Sequence, residues 1–216
     1  MSGEPPQSQE HYFSESPLGP STTTTFTVSV AGRTIVLATS SGVFSSRGLD
    51  KGTAVLLDHL ASHPPDTPPA GSTIVDVGCG SGPLALALAV MYPECHVLAV
   101  DVNRRAVELC RENARRNSIA NVRCVHLDDV DTNLQASLIV SNPPIRVGKT
   151  DLHRIMETWL ARLEPSGSAF LVVSRHLGAD SLARWMTAQG FDVHRRSSSK
   201  GFRVLEVRGL PDRGSQ

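Results

Sequence analysis

What this chain has little of narrows the field first. Cysteine is sparse: Cys79, Cys95, Cys110 and Cys124 stand apart, and none forms a C-x-x-C pair. That spacing argues against a zinc ribbon and against a thioredoxin-like motif, and it suits reduced thiols in a cytoplasmic protein. Net charge is absent as well, since 21 Lys and Arg balance 21 Asp and Glu. No general electrostatic attraction commits the molecule to nucleic acid, so any such contact must come from local clusters. No apolar run approaches the roughly 20 residues that a membrane helix needs. The opening "MSGEPPQSQE" lacks the basic start and apolar centre of a signal peptide.

What is present is an alternation. Residues 1–24 are rich in Ser, Thr, Pro and Gln and are expected to be a disordered or loosely docked tail. Residues 25–70 form an extension: "FTVSV" and "TIVLAT" flank a hairpin turn, and "LDKGTAVLLDHLA" has helical spacing. Residues 71–210 then alternate strand and helix, from "STIVDVG" and "PLALALAVMY" onward. Such alternation predicts an α/β domain with a mostly parallel sheet and helices on both faces. Only "SSSKG" separates the last two strands, too little for a crossover, so they are expected to pair as an antiparallel hairpin.

Two stretches carry chemistry. "DVGCGSG" follows the first strand of the alternating region and opens a helix. Gly78, Gly80 and Gly82 let the backbone turn sharply and approach a ligand. The spacing is G-x-G-x-G rather than the G-x-G-x-x-G of dinucleotide folds. Asp101 ends the next strand, where an acid meets ribose hydroxyls; Asn103 is placed to cap the following helix instead. The second stretch is "SNPPIRVGK", in which Asn142, Pro143, Pro144 and Ile145 lie across the end of the strand "SLIV". Proline stops the ladder and stiffens the tip. The Asn142 side-chain oxygen and the Pro143 carbonyl are two hydrogen-bond acceptors on a rigid frame. Accepting from both hydrogens of a conjugated amine would drive its nitrogen towards tetrahedral geometry and localise the lone pair, with the acceleration coming from positioning.

"DVGCGSG", "VDVN" and "SNPPI", in this order, resemble the class I S-adenosylmethionine-dependent methyltransferases that act on planar amino groups. "GVFSSRGLDKGTAVLL" before the sheet and the closing "SSSKGFRVLEV" are similar to the small-methyltransferase-domain group, which includes ribosomal RNA guanine-N(2) methyltransferases. The likeness spans roughly residues 26–208. It implies a Rossmann-like seven-stranded sheet with the closing hairpin, and S-adenosylmethionine as cofactor. By this resemblance Asp76, Gly78, Gly80 and Gly82 lie beside the methionine portion of the cofactor, Asp101 holds its ribose, and Asp128 or Asp129 meets its adenine. Phe44, Lys51 and Thr53 belong to the segment that covers the pocket, and Asn142 with its prolines is the catalytic tip.

There are departures. Ile145 stands where many amino-group methyltransferases place an aromatic that stacks on a flipped base, and Ser137 replaces an acid before the tip strand. A single catalytic domain is expected, without the duplicated domain of longer relatives. Basic residues gather near the predicted strand tips: Arg146 and Lys149 after the prolines, and Arg195, Arg196 and Lys200 around the last hairpin. They are candidates for RNA phosphate contacts, with solvated surface as the plain alternative. "SSSK" matches the S-x-x-K of penicillin-binding enzymes but falls in a predicted turn, and Cys79 is read as packing. Trp159 and Trp185 are expected in the core. The leading expectation is an RNA guanine-N(2) methyltransferase. The alternatives are a protein-glutamine or DNA-adenine N-methyltransferase, or a silent RNA-binding relative.

Overall fold

The computed structural model describes residues 23–40, 43, 48–144 and 148–208. Most of the expected tail therefore lies outside the described residues, but Thr23 and Thr24 belong to strand β1 (Thr23–Val30). The β-branched threonines suit an extended pleat, and they pair with Ser40 and Thr39 of β2 (Arg33–Ser40). Ala31 and Gly32, both at positive φ (47° and 74°), make the two-residue turn between them. This hairpin is a sheet of its own.

Helix α1 (Lys51–Ser62) follows, with Asp50 as its N-cap. Then come β3 (Thr73–Val77), α2 (Pro83–Met91), β4 (His96–Asp101), α3 (Arg104–Arg116), β5 (Val122–His126) and β6 (Ala136–Ser141). The chain finishes with α4 (Lys149–Leu160), β7 (Leu163–Ser174), α5 (Ala179–Ala188), β8 (Asp192–Ser199) and β9 (Phe202–Arg208). The main sheet has seven strands in the order β5-β4-β3-β6-β7-β9-β8. The first five in that order run parallel, and β9 is antiparallel to both β7 and β8. The closing turn is tighter than expected, because Ser197–Ser199 extend β8 and only Lys200 (φ 50°) and Gly201 (φ 85°) turn. The S-x-x-K stretch is thus mostly strand.

Two cores form on the two sheet faces. Leu56 and Leu60 of α1, Leu86 and Leu88 of α2 and Cys110 of α3 share one; Met156 and Trp159 of α4 and Leu182 and Met186 of α5 share the other. Helix α2 buries Leu84 through Ala89 without a break. Ile35 and Leu37 of the hairpin belong to the same core, so α2 lies between hairpin and sheet and needs no polar face. Trp159 is core at 4% exposure, whereas Trp185 is half-buried with its ring stacked on His153 at 3.9 Å.

The hairpin is also held by polar side chains. Asn113 Oδ1 accepts from the Ala38 N–H (2.8 Å), and its Nδ2 donates to the Ala38 and Ser81 carbonyls (2.9 Å each). Asn117 repeats the pattern on Val36, at 2.9 and 2.8 Å. Four helical residues rise about 6.0 Å and two strand residues about 6.8 Å, so side-chain amides one helical turn apart can imitate the edge of a neighbouring strand.

Candidate active site

The glycine loop leaves β3 at Gly78 and enters α2 at Pro83. Gly78, Gly80 and Gly82 all have positive φ, at 76°, 55° and 91°. They differ in their surroundings. A Cβ built on Gly78 or Gly80 meets nothing within 4 Å, whereas one on Gly82 would lie 2.5 Å from Cys110 Sγ and 2.6 Å from Leu86 Cδ1. The first two border open space, and the third is a packing glycine. Cys79 between them is buried, and its Sγ approaches the Gly80 carbonyl at 3.7 Å. Its contact with Cys110 pulls the thiol down, but burial prevails and it is pushed up to about 11, so it is no nucleophile at neutral pH.

Asp101 at the end of β4 shapes this loop. Its Oδ2 accepts the Gly80 N–H and its Oδ1 the Asn103 N–H, both at 2.9 Å. Burial raises its pKa, opposed by those backbone N–H groups. The Val102 N–H also faces this carboxylate, and of its roughly four lone-pair sites about one remains for a hydroxyl. Asn103 caps α3 by accepting from the Arg105 N–H (3.0 Å), which leaves Asp101 free of that task. Asp76 is fully buried, and its Oδ2 accepts the Ala85 N–H (2.9 Å), bracing the start of α2. Burial, outweighing that hydrogen bond, pushes Asp76 up to about 7.

The tip stands beside the loop. Ser141 ends β6, and its Oγ donates to the Val77 carbonyl (2.8 Å). Asn142 follows, and its Nδ2 donates to Asp50 Oδ2 (2.8 Å) and to Thr53 Oγ1 (3.0 Å). A carboxylate only accepts, so chemistry fixes which end of the amide faces Asp50. Asp50, Thr53 and Asn142 line one pocket with Gly78, Cys79 and Gly80, and Phe26, Leu49 and Leu84 supply its apolar wall. Open backbone at Gly78 and Gly80 beside an apolar wall suits a ligand with polar and apolar parts; Asp101 does not line this pocket and stands behind Gly80, whose N–H it accepts.

Other expected residues are dispersed. Pro143 is buried and Pro144 exposed; Ile145, Arg146 and Phe44 lie outside the described residues. Lys51 is exposed at the start of α1, and Lys149 is exposed at the start of α4. Asp128 is exposed in a 3-10 turn after β5 and pairs with His126 Nδ1 (3.2 Å); Asp129 reaches Arg104 at 4.0 Å. Neither lines the pocket. Arg195 is exposed on β8, Arg196 pairs with the buried Glu206, and Lys200 pairs with Asp58 at 3.7 Å. Arg196 therefore has a structural task on the sheet. Sequence reading missed Asp50, Phe26 and Leu49. Asp50 carried one legible signal, an acid just before an apolar-periodic helix.

A Rossmann-like sheet with a glycine loop, an acid ending the next strand and an Asn-Pro-Pro tip one strand over defines a methyltransferase architecture. The chain belongs to the family described as "Methyltransferase small domain", which matches residues 34–206. It is 34% identical to "Uncharacterized protein YbxB" of Bacillus subtilis over 92% of this chain and 98% of that protein. It is 32% identical to "Ribosomal RNA small subunit methyltransferase C" of Stutzerimonas stutzeri, covering 79% of this chain and 53% of that one. Among solved structures, a T. thermophilus 16S rRNA N2 methyltransferase (RsmC), in complex with AdoMet and guanosine, superposes with a TM-score of 0.74 at 25% identity. That likeness covers 90% of this chain and 53% of RsmC, so the chain spans about half the length of these ribosomal RNA methyltransferases.

Proposed function

We propose that this protein transfers a methyl group from S-adenosylmethionine to an exocyclic amine of RNA, the N2 amine of a guanine in ribosomal RNA. The observation that carries the reading is the amide of Asn142. Both of its N–H groups are turned inward, to Asp50 and Thr53, which leaves Oδ1 as the acceptor. The pocket places that residue in one wall with the open glycines. The names of the relatives support the RNA target and the N2 position.

The cofactor supplies an electrophilic methyl group on a sulfonium. Gly78 and Gly80 would give its amino-acid portion close backbone approach, and the remaining lone pair of Asp101 would accept from a ribose hydroxyl. Phe26, Leu49 and Leu84 keep water from the transfer path. Asn142 Oδ1 and the Pro143 carbonyl each accept one amine hydrogen, which draws the nitrogen out of conjugation with the ring and aims its lone pair. The bond from nitrogen to the methyl carbon forms as the sulfur–carbon bond breaks, and the methylated nitrogen then loses its proton to water. Positioning and electrostatics carry the acceleration, and no strong base is needed.

The test is methyl transfer from labelled S-adenosylmethionine to unmodified ribosomal RNA and to ribosomal subunits, followed by nucleoside mass spectrometry. Label in N2-methylguanosine is the expected result. Label in protein or in methyladenosine, or none in either RNA substrate, refutes the reading. Asn142→Ala should lower the single-turnover rate at least about 100-fold, as loss of one oxyanion-hole donor does, with cofactor affinity changed only a few-fold.

A further inference from the structure

Resting on that reading of Asn142, we infer that Asp50 and Thr53 are positioning residues that lock its amide with the NH2 inward, so that the site shows the substrate an acceptor only. The final torsion of an asparagine is broad and roughly two-fold, so an unsupported amide visits both orientations. An orientation with NH2 outward presents a donor to the incoming amine and repels it. Here the flipped amide would place Oδ1 against the Asp50 carboxylate, 2.8 Å away, so Asp50 sets the orientation; the Thr53 hydroxyl can turn to serve either end and adds a second bond that holds the amide plane. A hydrogen bond to a charged group biases such an equilibrium about 10- to 100-fold.

Asp50 is itself held firmly. The Oδ2 that accepts from Asn142 also accepts the N–H groups of Gly52 (2.8 Å) and Thr53 (3.1 Å) at the start of α1. These two backbone N–H groups fix the acceptor oxygen in place. Gly52 keeps the region clear. A Cβ there would lie 3.0 Å from Asp50 Oδ2, 3.1 Å from Phe202 Cε1 and 3.2 Å from Asn142 Oδ1. Thus α1 delivers an acceptor carboxylate, a hydroxyl and a side-chain-free gap to a strand tip about 90 residues further along the chain.

The plain alternative is that Asp50 only caps α1. Asp50→Ser keeps a good N-cap and removes the carboxylate, while Thr53→Val keeps volume and removes the hydroxyl. Two readouts separate the readings. In the cofactor-free protein, exchange of the Asn142 side-chain NH2 protons with solvent, followed by 15N NMR, should quicken at least about 10-fold in each variant as a hydrogen bond is lost. In single-turnover methyl transfer Asp50→Ser should slow at least about 2-fold, since an amide free to flip shows its acceptor in only half of the molecules, and Thr53→Val no more than that, with cofactor and RNA affinities within about 3-fold. In an Asn142→Ala background neither substitution should slow the residual rate further. Wild-type exchange and turnover in both single variants would overturn the inference. So would an undiminished slowing in the Asn142→Ala background, which would assign the effect to the helix. If Asn142→Ala itself transfers methyl groups normally, the functional reading fails, and the exchange measurement still decides the lock.

Discussion

Replacing Gly80 or Gly82 by alanine adds the same methyl group to the same loop, yet the two variants should fail in different ways. Both positions have positive φ, 55° and 91°, so each alanine costs about 1–2 kcal/mol in backbone strain. At Gly82 the methyl also collides with Cys110 Sγ and Leu86 Cδ1, at 2.5 and 2.6 Å. Cys110 is 0% exposed and in contact with Cys124 Sγ at 3.4 Å, so it cannot withdraw cheaply. Overpacking of this kind adds about 1–3 kcal/mol, for a total of about 2–5 kcal/mol. At Gly80 nothing lies within 4 Å, so only the strain applies to stability. Its methyl instead enters the space assigned to the cofactor, and affinity should fall at least about 10-fold. Urea unfolding gives the first quantity and calorimetric titration with S-adenosylmethionine the second. A Gly82→Ala protein within about 0.5 kcal/mol of wild type would refute the packing argument. Wild-type affinity in Gly80→Ala would remove the loop from the cofactor site.

Asp101→Ala should weaken S-adenosylmethionine binding about 10-fold or more, by loss of the ribose hydrogen bond, and calorimetry reads this directly. Asp76 has a folded-state pKa raised to about 7, so the native state holds its proton more tightly than the unfolded chain does. Its contribution is therefore most favourable at low pH and is lost as pH climbs from about 4 to about 7. Asp76→Asn should consequently gain stability relative to wild type across that window, and urea unfolding at several pH values shows whether the gap changes. Arg196→Ala leaves the buried Glu206 with Arg208 alone (3.3 Å) and should cost about 1–3 kcal/mol, visible as a lower melting temperature. Arg195→Ala should leave the melting temperature unchanged and reduce the salt slope of RNA binding by about 1 if that side chain meets a phosphate. Equal thermal behaviour of the two variants would contradict the division of roles.

The sheet was legible because its signals are local. Apolar runs such as "LIV" and "LVV", broken by helical spacing and glycine, place strands and helices without knowledge of the partner. The loop and the tip were legible because each packs its chemistry into consecutive residues. The link between Asp50 and Asn142 was not, since it joins residues about 90 positions apart and depends on how α1 docks. The pocket wall at Phe26 was hidden for the same reason: its role follows from where the hairpin lands. Arg196 reads as one of several surface cations until β9 sets Glu206 beneath it. The length of β8 was underestimated because serines are weak strand formers, and pairing with β9 overrides that preference.

The two asparagines that close the edge of β2 have a consequence for the order of assembly. Asn113 lies 75 residues beyond Ala38, so the hairpin leaves the ribosome well before the helix that finishes it. In that interval the N–H and C=O groups of β2 that later meet Asn113 and Asn117 are open, and an open strand edge is a template for another chain. A nascent chain halted after α2 would expose that edge together with an unbroken apolar helix, and should aggregate. Synthesis of α3 ends the exposure, which makes the turn of helix from Asn113 to Asn117 a checkpoint in biogenesis as well as a clamp in the finished molecule.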